Sequence, residues 1–196
     1  ERIERYIHLW NPDLTKERQN ILEELIFKKI DKLKIFIINV EAFSTRKGVT
    51  IAYEYLKKNP SNFIIVDEST TIKNKSAQRT KAILQISNIS KYRRILTGSP
   101  ITKSPLDLFS QCNFLKEKSL GFNSYWAFQA RYARVVKRSM GHKSFNQIIG
   151  YQRLDELKNK VDSFSSRVRK EQCLDLPEKI YMKRNVQFSS DQIKLY

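Results

Sequence analysis

An α/β fold with a mainly parallel sheet flanked by helices, plus a helical insertion, is predicted by three features of the 196-residue sequence. Short apolar runs rich in β-branched residues, IFIINV at 35–40 and FIIV at 63–66, have the composition of strands covered on both faces. Stretches of helical periodicity separate these runs from each other and from a third, RRILT at 93–97. After residue 115 the strand–helix alternation stops and helical patterning takes over.

The elements follow in order. Glu1 enters a stretch that reads as helical, and residues 16–30 form an amphipathic helix capped by Thr15, with Ile21, Leu22, Leu25, Ile26 and Ile30 on one side. A second helix is predicted over 46–58, ended by Asn59-Pro60. Ser76 stands where it would cap a third, running to about residue 88. Ser104-Pro105-Leu106-Asp107 is a strong helix start: a capping hydroxyl, proline at the first helical position and an acid where the helix dipole favours it. Residues 116–170 read as helical, with Trp126, Phe128, Tyr132 and Val135 in one stretch and Leu154, Leu157, Val161, Phe164 and Val168 in another, joined by a loop over 139–150. KIYMKRNVQF, from 179, alternates like a further strand, and Ser189 to Tyr196 reads as a cap and a first helical turn. With no initiator Met and that unfinished last turn, the sequence reads as a piece of something longer.

Composition narrows the partners. The net charge of +17 is large for this length and calls for a polyanion, nucleic acid first and an anionic membrane surface second. No stand-alone basic amphipathic segment favours the membrane, and no apolar run approaches the ~20 residues that span a bilayer. Cys112 and Cys173 are far apart, and neither His8 nor His142 has a nearby Cys or His, so the pattern is that of an intracellular protein with plain thiols and no zinc site. Between Arg131 and Arg153 there is no acidic residue, while Arg131, Arg134, Lys137, Arg138, Lys143 and Arg153 are basic and interleaved with aromatics.

The chemistry centres on FIIVDESTTIKNK, 63–75. Ligands of doubly wound sheets bind outside the carboxyl ends of the strands, where Asp67 and Glu68 stand side by side. Two adjacent carboxylates repel, and a hydrated Mg²⁺ offsets this while taking phosphate oxygens as further ligands. In that arrangement Asp67 holds the magnesium and Glu68 activates water. On its own the doublet also fits a strand end with solvated acids, and Lys73 fits a solvated residue entering a helix. The run Thr97-Gly98-Ser99-Pro100-Ile101 after the third strand makes a compact turn that would stand beside the acids if the two strands are neighbours.

FIIVDESTTIKN followed by RRILTGSPITKSPLDLFSQCNFL resembles the helicase-like ATPases of superfamily 2, in their Swi/Snf-type branch, and in particular the phage and bacterial members. The resemblance implies a three-layer RecA-like first lobe. It assigns Asp67, Glu68, Lys73 and Asn74 to the magnesium, ATP and water element, and Thr97, Gly98, Ser99 and Pro100 to the element coupling nucleotide state to the rest of the machine. IINVEAF at 37–43, with Asn39 and Glu41, is similar to the family's nucleic-acid-contacting segment, and FSSRVRKEQCLDLPEKIY at 164–181 to the stretch closing the first lobe. The implied organisation is residues 1–115 as the ATPase lobe, 116–163 as a helical protrusion with Trp126 and Phe128 packed and Arg131, Arg134, Lys137, Arg138 and Lys143 toward double-stranded DNA, and 164–196 as the end of the lobe and the lead to a second RecA-like lobe of the same polypeptide. The sequence departs from the family pattern at Ser69-Thr70, where a small residue and His are usual, and at Ser99, where Thr is usual. It contains no G-x-x-x-x-G-K-[ST] loop, so these residues alone are expected neither to bind ATP tightly nor to hydrolyse it. Two other functions use the same residues: a metal-dependent nuclease built on Asp67, Glu68 and Glu41, and a non-catalytic basic DNA-binding module.

Overall fold

The computed structural model describes residues 4–13, 15–29, 31–141, 143–173, 175 and 180–195. Glu1, Ile30, His142, Leu176, Pro177 and Tyr196, to which sequence expectations attach, lie outside the described residues. Two compact units divide the chain, residues 1–163 and 164–196.

In the first unit the chain opens with a strand, β1 (Arg5–Leu9), where a helical pattern was expected. Its bonding explains the difference: β1 runs parallel to β2 (Leu33–Ile37), with Ile7 opposite Ile35. Helix α1 (Lys16–Phe27) joins them, with the Thr15 hydroxyl accepting from the Arg18 N–H as predicted. Asn39 caps a 3-10 turn over Val40–Ser44, accepting from the Glu41 N–H. Thr45 then caps α2 (Arg46–Lys58), whose buried residues Gly48, Ala52 and Leu56 lie along one side. Gly48 is required by close approach, because a Cβ there would lie 2.3 Å from the Ala42 carbonyl oxygen.

β3 (Phe63–Val66) and β4 (Tyr92–Ile95) form a second parallel pair, linked by α3 (Gln78–Ser87). Ala77, not Ser76, occupies the cap position of α3; the Ser76 N–H and hydroxyl both go to the Asn74 carboxamide oxygen. Phe43, Ala52, Leu56, Val66, Ile72, Ile83, Ile86 and Phe114 make the core between this pair and its helices. The α/β class is as predicted, but burial of the strands on both faces is not. Ile64 and Val66 point to the helices, while Phe63 and Ile65 are 49% and 52% exposed. Ile7, Leu9, Ile37 and Tyr92 are likewise exposed. An apolar run shows that a strand can be covered on both faces; here one face is.

The Ser104–Asp107 signal holds in full: a capping box with proline inside it starts a 3-10 turn that runs into α4 (Leu108–Leu115). A second core gathers Leu106, Leu108, Cys112, Leu120, Phe128, Tyr132, Ala133 and Leu157. It is built from α4, α5 (Tyr125–Tyr132) and α6 (Leu154–Asp162). Between the last two, helix and loop were expected, and the chain instead forms an antiparallel hairpin, β5 (Ala133–Met140) and β6 (Lys143–Tyr151). Gly141, at φ +59°, makes the tight reversal that a two-residue turn demands. The β-branched residues flanking it, Val135, Val136, Ile148 and Ile149, favour strand over helix.

The second unit holds two short helices, α7 (Lys170–Cys173) and α8 (Ser190–Leu195). Ser189 caps α8 as expected, accepting from the Gln192 N–H. The strand expected from 179 is absent over 180–189. Ile180, Tyr181, Met182 and Val186 are all exposed, so no neighbouring layer rewards the alternation.

Candidate active site

β3 delivers Asp67 and Glu68 at its carboxyl end, and both are exposed. The turn is tight: Glu68 sits in the left-handed region at φ 47° and ψ 58°, and its N–H donates to Asp67 Oδ1 at 3.0 Å. A non-glycine residue there costs roughly 1–2 kcal/mol, a strain that clusters at functional sites. Among the described residues no cation pairs with either carboxylate. Two unneutralised, solvent-facing acids at a strand end fit a hydrated divalent cation, the hard oxygen donors that Mg²⁺ prefers.

The Thr-Gly-Ser-Pro turn is fastened directly to this acidic turn. The Leu96 N–H donates to the Val66 carbonyl at 2.9 Å, and the Ser69 N–H donates to the Leu96 carbonyl at 3.0 Å. Asp67 and Glu68 therefore form a short loop closed on both sides by the residue preceding Thr97. Within the second turn Thr97 Oγ1 accepts from the Ser99 N–H, and the Ser99 hydroxyl donates to the Ile101 carbonyl. Gly98 stands in open space, with nothing within 4 Å of a Cβ built on it.

A residue that sequence reasoning passed over joins the two turns from below. Gln111 on α4 is fully buried, and its Oε1 accepts the Ser69 hydroxyl at 2.6 Å. Its Nε2 donates to the Pro100 carbonyl at 2.7 Å and to the Asp107 carbonyl at 2.9 Å. The departure at Ser69 is thus structural: its hydroxyl is the hook to which the amide binds. A glutamine inside the apolar stretch LFSQCNFL was the available signal, since a buried amide must find partners.

Lys73 and Asn74 lie on the far side of the 3-10 turn over Ser69–Ile72. Lys73 Nζ donates to Thr102 Oγ1, and Thr102 Oγ1 donates to Asp107 Oδ2 at 2.9 Å. The Asp107 carboxylate also collects the N–H groups of Thr102, Lys103 and Ser104. Burial pushes its carboxyl up, and those hydrogen bonds outweigh it, holding the pKa below the ordinary Asp value. So Lys73 ties the acidic segment to the loop after the Thr-Gly-Ser-Pro turn, while Asn74 shapes the entry to α3. Lys75 lies over the rings of Tyr125 and Trp126, at 4.3 and 4.5 Å from their centroids. Trp126, expected to pack, is 66% exposed and serves as that lysine's platform; Phe128 packs as expected.

Glu41 is paired with Arg79, which donates Nη1 to both its oxygens at 3.0 and 2.8 Å and Nε to the Thr71 carbonyl. Among the described residues no three His, Cys, Asp or Glu side chains cluster to hold a metal, as the nuclease alternative requires. Arg131, placed with the basic residues, is committed to Glu156, at 2.5 Å between Nη2 and Oε2. Arg134, Lys137, Arg138 and Lys143 lie on the hairpin. Cys112 is buried and its thiol is pushed up to about 12 by burial, which leaves it inert packing.

A parallel strand pair whose carboxyl end carries an acidic turn cross-bonded to a Thr-Gly-Ser-Pro turn is the arrangement of a helicase-like α/β lobe. Residues 5–196 match the SNF2-related domain, and the chain belongs to that family, within the Swi/Snf-type branch of superfamily 2. It is 31% identical over 166 residues to the TATA-binding protein-associated factor BTAF1 of Arabidopsis thaliana, covering 80% of this chain and 8% of that protein. It is 31% identical over 138 residues to the human helicase-like transcription factor, covering 68% of this chain and 12% of the relative. It is 28% identical over 176 residues to the DNA annealing helicase and endonuclease ZRANB3 of Bos taurus, covering 89% of this chain and 16% of the relative. The chain thus spans about one twelfth to one sixth of the length of these relatives. No helix among the described residues is long and apolar enough to cross a membrane.

Proposed function

We propose that this chain carries the catalytic carboxylates of an intracellular DNA-dependent ATPase, coupling ATP hydrolysis to movement along double-stranded DNA. One observation carries the reading: Leu96, the residue that leads into the Thr-Gly-Ser-Pro turn, hydrogen-bonds Val66 and Ser69 on the two sides of the acidic turn. Asp67 would hold Mg²⁺ through its hydration shell, and the ion when bound neutralises phosphate charge. Glu68 orients the attacking water and takes its proton on a carboxylate oxygen. Any change in the Asp67–Glu68 loop is transmitted through Ser69, Leu96 and Gln111 to the segment Thr97–Pro100. Lys73 and Asn74 act beside the nucleotide by holding this loop in shape, and Asn39, Glu41 and the hairpin cations Arg134, Arg138 and Lys143 form the DNA-facing side.

These 196 residues contain no G-x-x-x-x-G-K-[ST] loop, so the reading requires a phosphate-cradling backbone, and arginines of a second RecA-like lobe of the same polypeptide, from further sequence. The test is ATP turnover by the longer polypeptide, with and without duplex DNA, in Mg²⁺ and in EDTA. Turnover that needs Mg²⁺ and rises with duplex supports the proposal. Mg²⁺-dependent cleavage of DNA without ATP, or duplex binding with no turnover, would replace it with the nuclease or the non-catalytic module.

A further inference from the structure

Among the described residues, the hairpin β5–β6 is anchored at its base. Ala133 is buried, and Ile148 and Tyr151 pack against the second core, while every β5 residue from Arg134 to Met140 is exposed. The register sorts its side chains into two faces, since residues directly opposite in an antiparallel pair share a face. Ala133 opposite Tyr151 and Val135 opposite Ile148 define the face whose base meets the core. Arg134 opposite Gly150, Arg138 opposite Phe145 and Met140 opposite Lys143 define the other.

The charge is distributed unequally between them. The second face carries Arg134, Arg138 and Lys143, and the first carries Lys137 alone among basic residues. No acidic residue occurs from 133 to 153 to neutralise them. Two of the three cations are set in place by their neighbours. The Arg134 guanidinium lies over Gly150, where a Cβ would stand 2.9 Å from Nη2, so the absent side chain makes its berth. Arg138 Nε donates to Gln147 Oε1 at 3.1 Å, which orients the guanidinium. Between the cations the same face exposes apolar surface, Val136, Phe145 at 50% and Met140 at 74%. Uncovered apolar surface interleaved with fixed cations suits a partner with anionic rails and apolar edges.

We propose that this ribbon lies in the major groove of duplex DNA, with Arg134, Arg138 and Lys143 on phosphates and Phe145 and Met140 toward the base edges. The inference rests on the proposed DNA partner and adds which element reads the duplex and by which face. The dimensions agree: two strands about 4.8 Å apart fit a groove about 12 Å wide, and eight residues at about 3.4 Å each extend roughly 27 Å.

The test is anisotropy of a short fluorescein-labelled duplex titrated with the protein across a salt series, with guanine N7 methylation as a major-groove probe. The triple variant R134A/R138A/K143A is expected to lower the slope of log affinity against log salt by about 2–3, at about 0.9 for each phosphate left without its cation. It should also lose the N7 protection. K137A removes one charge from the opposite face and is expected to leave slope and protection unchanged. All four positions are exposed, and matched thermal melts verify folding. Equal slope losses for R138A and K137A, or a wild-type slope in the triple variant, overturn the one-faced ribbon while the DNA reading stands. Competition by anionic vesicles as strong as by unlabelled duplex overturns it in favour of a membrane surface. A protein that binds no duplex at all sinks both proposals.

Discussion

Gln111 offers the sharpest test of how the two turns are joined. Replacing it with Met keeps the volume and removes the amide. The Ser69 hydroxyl and the Pro100 carbonyl then lose the partners they hold at 2.6 and 2.7 Å. The Ser69 hydroxyl is buried and costs about 1–3 kcal/mol once stranded, while the Pro100 carbonyl, at an exposed residue, can turn to water, so the variant should lose at least about 1 kcal/mol. For a chain of 196 residues that is a fall of at least roughly 2–4 °C in Tm. S69A strands the other end of the pair and should cost about 1–3 kcal/mol alone. The double variant S69A/Q111M removes both ends at once, so its loss should be smaller than the sum by about 1–2 kcal/mol. Urea unfolding of the four proteins of this cycle measures the difference. Losses that add to within about 0.5 kcal/mol would refute a bond between Ser69 and Gln111 that matters to the fold.

Asp107 predicts a pH dependence with a definite sign. Its folded pKa lies below its unfolded one, so its contribution is fully present above about pH 4 and is lost as pH falls through the lower, folded value. Acid titration of the unfolding midpoint should therefore be flatter for D107N than for the parent in that window. Gly48 and Gly98 should answer alanine in opposite ways. G48A places a Cβ against the Ala42 carbonyl and should cost about 1–3 kcal/mol. G98A meets nothing and should change stability by less than about 0.5 kcal/mol, both read from thermal unfolding.

The parts of the fold written in local chemistry were legible. Helix α2 has its predicted bounds because Thr45 caps it and Asn59-Pro60 stops it, and the capping box at Ser104 sits where its residues demand. What was missed depended on partners distant in sequence. Arg5–Leu9 mixes Arg, Tyr and His with apolar residues, and only pairing with β2 makes it a strand. The hairpin was hidden by its basic residues, although Gly141 flanked by Val135, Val136, Ile148 and Ile149 was a usable turn signal. Phe63 and Ile65 were read as buried because an apolar side chain does not record which face is covered.

The candidate site divides the same way. The position of Asp67 and Glu68 at the end of β3 was legible because a strand end followed by two acids is a local pattern. The bonds from Leu96 to Val66 and from Ser69 to Leu96, and the role of Gln111, come from tertiary geometry that no spacing encodes. Trp126 and Arg131 show the converse. Their residue types pointed to packing and to DNA, and the structure gives one to Lys75 and the other to Glu156.

The central claim is that Glu68 deprotonates water for hydrolysis while taking no part in holding the nucleotide. Single-turnover hydrolysis and nucleotide affinity, measured on E68Q in the longer polypeptide, address it directly. The account predicts hydrolysis slowed by about 10²–10⁴-fold with affinity within a few-fold of the parent. Parental hydrolysis in E68Q, or a loss confined to nucleotide affinity, would contradict it.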